Sequence, residues 1–110
     1  MGKSLLSELD SRLGILIAHI IKLHVQPERY SASWRGTIRE QQRWIRKLLA
    51  RAPSLRRSLP EIFVEAHRDA IEIAADDMGM RDEAVREALT LRSPLTVEEV
   101  LAFESPELNS

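Results

Sequence analysis

This chain of 110 residues contains no cysteine, so disulfide bonds and thiolate chemistry are excluded and nothing points to an oxidising compartment. Aromatic residues make up only 5% of it. The most apolar stretch, residues 14–21, contains His19 and precedes Lys22, and it is much shorter than the about 20 residues of a membrane-spanning helix. The first ten residues hold Ser, Glu and Asp where a secretory signal keeps an unbroken apolar segment. We therefore expect a cytoplasmic protein.

The sequence also lacks the motifs of common catalytic sites. It has no glycine-rich phosphate-binding loop, no predicted strand to carry one, and no nucleophile elbow. Most of its carboxylates fall on helix faces that solvent would cover. We therefore expect no catalytic residue and no cofactor, with an active site assembled from distant residues as the alternative.

The three histidines are poorly spaced for a metal site. His19 and His24 are five residues apart, which on a helix turns them about 140° away from each other. His67 and Asp69 are two apart and diverge as well. Helical metal sites favour ligands three or four residues apart, so the sequence predicts no metal centre.

What is present is typical of one folded domain, which we place at residues 1–104 and follow with a frayed tail at 105–110. Hydrophobic residues make up 44% and charged residues 30%. The net charge of −1 conceals a strong segregation. Residues 29–57 hold nine cations and one anion, whereas residues 58–110 hold four cations and thirteen anions. Such polarity predicts that one half folds against the other.

Hydrophobic periodicity predicts an all-α fold, a bundle of four or five helices. Helix 1, from about Ser4 to Val25, is apolar nearly all round in its middle, which is typical of a helix at the centre of a bundle or at a subunit interface. Helix 2 is predicted over about 34–52 after an N-cap at Ser33. Helix 3 is predicted from about Leu55 to Met78, with Ser58 as an alternative N-cap and Gly79 as its C-cap.

Two shorter helices complete the prediction, one over 81–91 and one that opens at the capping box of Thr96 and Glu99.

The link between helices 2 and 3 is short, so these helices are predicted to pack as an antiparallel hairpin. Gly36 lies inside helix 2 and costs up to about 1 kcal/mol relative to alanine, which we expect a close neighbour to explain.

The most distinctive pattern is a row of cations at every fourth position of helix 2: Arg35, Arg39, Arg43, Lys47 and Arg51. Like charges four apart on a helix repel by roughly 0.2–0.5 kcal/mol per pair, so four pairs cost on the order of 1–2 kcal/mol. An acidic surface of the same chain, another protein or a phosphate backbone would each relieve that repulsion.

We favour the first of these partners. Helix 3 carries acids at spacings of four, four, three and four: Glu61, Glu65, Asp69, Glu72 and Asp76. In an antiparallel hairpin these acids would face the cations of helix 2 as an intramolecular charge zipper. Because every fourth position drifts by about 40°, not all five cations would reach helix 3.

The alternative is a nucleic-acid surface on helix 2. Phosphates would neutralise its cations and the indole of Trp44 would stack on a base. The residues of this surface would be Arg35, Arg39, Arg43, Trp44 and Lys47. The acidic second half of the chain argues against it, because it competes for the cations and repels phosphates.

Helix 1 suggests a protein–protein interaction. If the hairpin covers one side only, Ile15, Ile17 and Ile21 leave apolar surface for a partner. We therefore expect a non-catalytic interaction module, a homodimer through helix 1, with no membrane partner.

Several runs resemble a bacterial family filed as domain of unknown function 29. The central run is residues 33–41, SWRGTIREQ. Upstream are Ala18-His19 and Lys22-Leu23; downstream are 53–56, PSLR, and 93–101, SPLTVEEVL. The resemblance covers about residues 3–101 and implies a compact all-helical fold in a bacterial cytoplasm, with no activity to carry over. It also implies a further helical segment before Gly2 and an aromatic C-terminal end. Either the start is misassigned or this chain is a short form, and in both cases we expect less cover for helix 1.

Overall fold

The computed structural model describes residues 2–108, with side chains from Leu5 onward, and contains no strand within that range. It has five α-helices, which are α1 (Gly2–Val25), α2 (Ala32–Arg51), α3 (Leu59–Met78), α4 (Asp82–Leu89) and α5 (Val97–Ala102). Short 3-10 helices at Pro27–Arg29 and Pro53–Arg57 make the two tight connections. The predicted all-α bundle is confirmed.

The helix boundaries follow local capping chemistry. Gly79 ends α3 with a φ of 66°, and Thr96 and Glu99 form the predicted reciprocal capping box at the start of α5. The predicted N-cap at Ser33 is wrong, because the side chain of Ser31 accepts the hydrogen bond from the backbone N–H of Trp34, at 3.4 Å. Helix α3 begins after Ser58, the alternative start, since Pro53 opens a 3-10 turn first.

Helix α1 is the centre of the bundle, as its apolar circumference predicted. Seven of its side chains are fully buried: Leu9, Leu13, Leu16, Ile17, Ala18, Ile20 and Ile21. Both long helices α2 and α3 pack on α1. Gly14 faces α3, and a Cβ there would make only an ordinary contact, 3.9 Å from the carbonyl oxygen of Ala66.

The directions of the three long helices follow from their side-chain contacts. On α1, Arg12 donates to Gln41 of α2, and Lys22 lies over the ring of Trp34 near the start of α2, so α1 and α2 are antiparallel. Lys22 also pairs with Asp77 near the end of α3, so α1 and α3 are parallel. Helices α2 and α3 therefore run antiparallel to each other, as predicted.

Their predicted face-to-face pairing is not found, because α1 takes the position between them and α2 and α3 hardly approach each other directly. A helix that is apolar all round gains most by being covered on both sides. The short 3-10 link at Pro53–Arg57 connects these two antiparallel helices, although α1 packs between them.

The short helix α5 docks through side chains of α2. The side-chain amide of Gln42 donates to the carbonyl oxygens of Val100, at 3.1 Å, and Phe103, at 2.8 Å. Arg46 donates to the carbonyl oxygen of Leu101. These bonds satisfy carbonyl groups that the end of a helix leaves without partners.

The segment after α5 has no regular structure as far as residue 108. The hydroxyl of Tyr30 donates to the carbonyl oxygen of Pro106 within it, at 2.6 Å. The last two positions of the predicted frayed tail, residues 109 and 110, lie outside the described residues. None of the helices described is both long enough and apolar enough to cross a bilayer.

Candidate nucleic-acid interface

The cations of α2 lie on its outer side. The inner side is fixed by buried residues at helical spacing: Ile38, Gln41, Gln42, Ile45, Leu48 and Leu49. At 100° per residue, the row of cations spans about 160° on the opposite side. We call this surface the basic face; it consists of Arg35, Arg39, Arg43, Lys47 and Arg51. All are exposed except the half-buried Arg35, and the one carboxylate on this helix is that of Glu40.

The predicted charge zipper is wrong. In the part of the chain that the structure describes, no cation of the basic face lies within 4.0 Å of a carboxylate oxygen. The ion pairs there are Arg12–Glu8, Lys22–Asp77, Arg68–Glu65 and Arg81–Glu83. The cause is the position of α1, which holds α2 and α3 apart. The cations of the basic face are therefore not paired with any carboxylate in the described chain, although Glu40 lies within the same arc of α2.

The acids of α3 form a second exposed row instead. At 100° per residue they fall within an arc of about 80°, narrower than the basic face. This surface, which we call the acidic row, consists of Glu61, Glu65, Asp69, Glu72 and Asp76, all exposed. The molecule thus presents opposite charges on two helices that flank a buried third.

Trp44 lies at the edge of the basic face with 40% of its surface exposed. The guanidinium carbon of Arg12 and the ammonium nitrogen of Lys47 lie 4.8 Å and 5.0 Å from the ring centroid, within cation–π range. The indole is therefore held in place from α1 and α2 while part of it meets solvent. Trp34, by contrast, is half-buried beneath Lys22 and belongs to the bundle.

Gly36 faces open space, which corrects the expectation of a close neighbour within the chain. A Cβ at this position would have no heavy atom within 4 Å beyond its immediate surroundings in the helix. Gly36 lies in a shallow depression whose charged lining is Arg35, Arg39, Arg43 and Glu40. The missing side chain therefore lets an external group approach the backbone of α2 between the cations.

Two arginines of α2 differ in their surroundings. Arg46 donates to the carbonyl oxygen of Leu101, so it serves the docking of α5. The Nε atom of Arg35 is buried and has no hydrogen-bond partner in the described chain. Arg35 is thus partly packed against the bundle, and its Nε–H donor at the margin of the basic face is not used within the described chain.

The apolar surface predicted on α1 is largely absent. Ile17 and Ile21 are fully buried, because α2 and α3 cover α1 from two sides, and only Ile15 is half-buried. Ile17 and Ile21 therefore offer no surface to a partner, and the argument for a dimer through this helix is lost with them.

No group of three or more potential ligands in residues 2–108 would hold a metal ion. His19 is half-buried, and its Nδ1 lies 2.9 Å from the carbonyl oxygen of Ile15. Burial lowers the pKa of His19, with that hydrogen bond acting in the opposite direction. Burial is also the main cause that lowers the pKa of His24 and of His67.

Sequence reasoning missed the buried Lys22, which is 6% exposed. Its ammonium group bonds to Asp77 at 3.0 Å and lies 4.8 Å from the ring centroid of Trp34, so it joins all three long helices. The available signal was a lysine at the end of an apolar run. A buried ammonium needs partners, and both of them come from distant parts of the chain.

Comparison with protein families finds a match to the family described as "Domain of unknown function DUF29", over residues 1–104. Comparisons with curated proteins and with solved structures find no match. The matched region contains all five helices, the basic face and the acidic row. This chain is a member of the DUF29 family.

Proposed function

We propose that this DUF29 protein is a non-catalytic binding module that contacts nucleic acid through the basic face of α2. The observation that carries the proposal is the row of five cations without a carboxylate partner in the described chain. Their mutual repulsion, on the order of 1–2 kcal/mol, is relieved when phosphates approach them. Removal of this repulsion contributes favourably to the free energy of binding.

The shape of the surface supports a long anionic partner. Helix α2 has 20 residues, so it is about 30 Å long, and its cations recur about every 6 Å. A phosphate backbone presents charges along such a length, whereas a single carboxylate neutralises one cation. The open backbone at Gly36 permits close approach, and the exposed part of Trp44 offers an apolar contact for a base or sugar.

The acidic row restricts where a nucleic acid can bind on this molecule. It lies on α3, on the far side of α1, and it repels phosphate. The small net charge of −1 therefore does not argue against binding, since the two charged surfaces are separate.

Fluorescence anisotropy with labelled single-stranded RNA and duplex DNA of about 20 nucleotides per strand tests the proposal. Affinity is expected to fall steeply between about 50 and about 200 mM salt, with a log–log slope of about −3 to −4 for some four phosphate contacts. The variant Arg39→Ala, Arg43→Ala is expected to weaken binding at least about tenfold and to flatten the slope by about 1–2.

The matched control is Arg68→Ala, Arg81→Ala, which removes the same charge from exposed positions outside α2. It is expected to change the affinity by less than about threefold. Equal losses in both variants would show non-specific attraction and contradict the assigned surface. Absence of binding to either nucleic acid at the lowest salt would contradict the proposal itself.

A second candidate is self-association, which the separation of charges favours. The basic face of one copy matches the acidic row of the next, and such a head-to-tail contact need not close into a dimer. Sedimentation velocity at low salt would then show oligomers that dissociate at high salt.

Charge reversal separates self-association from nucleic-acid binding. Arg39→Glu, Arg43→Glu would abolish self-association, and mixing with Glu65→Lys, Asp69→Lys would restore it. The Glu65→Lys, Asp69→Lys variant keeps the basic face and would bind nucleic acid without mixing, whereas mixing would not restore nucleic-acid binding to the Arg39→Glu, Arg43→Glu chain. A monomer at every salt concentration would exclude the second candidate and leave the first unaffected.

A further inference from the structure

A pocket of about 480 Å³ opens between α1, α3, α4 and the segment that leads to α5. This volume lies within the range of small-molecule sites. Its apolar lining comes from Ile71 of α3, Leu89 of α4 and Leu95 of the connecting segment. No lining residue belongs to α2, so the pocket is independent of the basic face and of the function proposed for it.

Two arginines give the pocket a positive rim. Arg86 and Arg92 both line it, and both are exposed. Within residues 2–108 neither guanidinium lies within 4.0 Å of a carboxylate oxygen, unlike those of Arg12, Arg68 and Arg81. The rim therefore retains paired donors suited to a carboxylate, which a guanidinium group binds in a bidentate manner.

Two histidines add uncharged donors to the same pocket. His24 of α1 and His67 of α3 line it, and neither ring makes a hydrogen bond in the described chain. Burial lowers the pKa of both rings, and the nearby charge of Arg92 lowers that of His24 further. At neutral pH each ring is therefore uncharged and can donate one N–H without adding positive charge.

We propose that this pocket binds a small organic monocarboxylate, whose apolar body contacts Ile71, Leu89 and Leu95 while its carboxylate pairs with Arg86 and Arg92. Charge complementarity selects an anion, because the rim carries two unpaired guanidinium groups and the described lining contains no carboxylate. The apolar interior selects a ligand with a hydrocarbon body over a bare inorganic anion.

Three probes with the same hydrocarbon chain test the proposal: sodium octanoate, 1-octanol and octylamine. Titration into the ¹⁵N-labelled full chain, followed by ¹H–¹⁵N correlation spectra, is expected to give saturable shifts with octanoate at the amides of 71, 89, 92, 93 and 95. Octanol is expected to bind at least about tenfold more weakly and octylamine not at all, because each lacks the charge-assisted contact. Equal binding of all three probes, or no saturable shifts with octanoate, would overturn the proposal.

Charge reversal at the rim makes the test specific. The variant Arg86→Glu, Arg92→Glu is expected to lose octanoate and to gain octylamine, because the hydrocarbon contacts remain while the rim changes sign. The control Arg56→Glu, Arg57→Glu alters the same charge at exposed positions away from the pocket and is expected to keep the original preference. A gain of octylamine binding also shows that the first variant is folded. An unchanged preference in that variant would overturn the assignment.

Discussion

At the scale of single residues, Gly36 is the clearest sign that α2 is shaped by something outside the bundle. It lies in the helix interior with a surrounding space that would accept a side chain. Glycine there is less stable than alanine by roughly 0.5–1 kcal/mol, and no contact inside the described chain accounts for the loss.

Replacing Gly36 by alanine is therefore expected to stabilise the protein by about 0.5–1 kcal/mol, measured as a higher urea midpoint with an unchanged m-value. The matched control is Gly79→Ala, which is expected to destabilise because the φ of 66° at Gly79 disfavours any side chain. Gly36→Leu, also a good helix former, is expected to keep the fold and weaken nucleic-acid binding by obstructing the backbone. A destabilised Gly36→Ala would show that the glycine serves the fold.

The exposure of some single residues can be predicted from the sequence, whereas that of others cannot. Exposure of Arg39, Arg43 and Lys47 follows from helical periodicity, since an inward stripe leaves them on the outer side. The complete burial of Ile17 and Ile21 does not, because periodicity shows that α1 is apolar all round without showing how many neighbours cover it. The two partners of Lys22 are likewise beyond sequence reasoning, since Asp77 is fifty-five residues away in the chain.

At the scale of elements, the order of packing was decided by burial rather than by charge. Complementary charges and a short link suggested a direct contact between α2 and α3. An exposed ion pair contributes about 0–1 kcal/mol, whereas a fully buried Leu or Ile contributes about 1.5–3 kcal/mol. Covering α1 on both sides therefore outweighs a zipper, and the charged rows are left facing solvent.

Helix α5 depends on its contacts with α2 for its stability. Its six residues are too few to form a stable helix alone, and the amide of Gln42 joins it to α2 through two carbonyl groups. Gln42→Leu would leave both carbonyls without that donor. We expect a loss of about 1–3 kcal/mol in unfolding free energy and faster amide hydrogen exchange across residues 97–103, with α1 protected as before.

The adjacent Gln41 provides the control for this experiment. It is also buried, but its side chain accepts from Arg12 and makes no hydrogen bond to α5 in the described chain. Gln41→Leu is therefore expected to leave exchange in residues 97–103 unchanged relative to the rest of the chain. Equal acceleration in both variants would mean that general destabilisation, rather than the bonds of Gln42, controls the docking of α5.

At the scale of the whole molecule, the two charged rows depend on salt, whereas the three half-buried histidines depend on pH. The rows are exposed, so salt controls their contribution. The histidines are half-buried on α1 and α3, so pH controls theirs. These separate dependences allow binding and stability to be measured without confusing one with the other.

Acidification from pH 7 to pH 5 is expected to lower the unfolding free energy. Burial lowers the pKa of His19, His24 and His67 below the ordinary 6.5, so the unfolded chain binds protons first as the pH falls. Each such histidine contributes a slope of at most about 1.4 kcal/mol per pH unit, with stability rising as pH rises.

Urea denaturation at several pH values, in the wild type and in His67→Gln, measures this slope for one histidine. The glutamine does not titrate, so the variant is expected to lose less stability on acidification. Asp10 acts in the opposite direction, because burial and the neighbouring Asp69 and Glu65 raise its pKa, but it is common to both proteins and cancels in their difference. Parallel pH profiles would show that His67 has the same pKa in the folded and unfolded states, and so is not desolvated in the bundle.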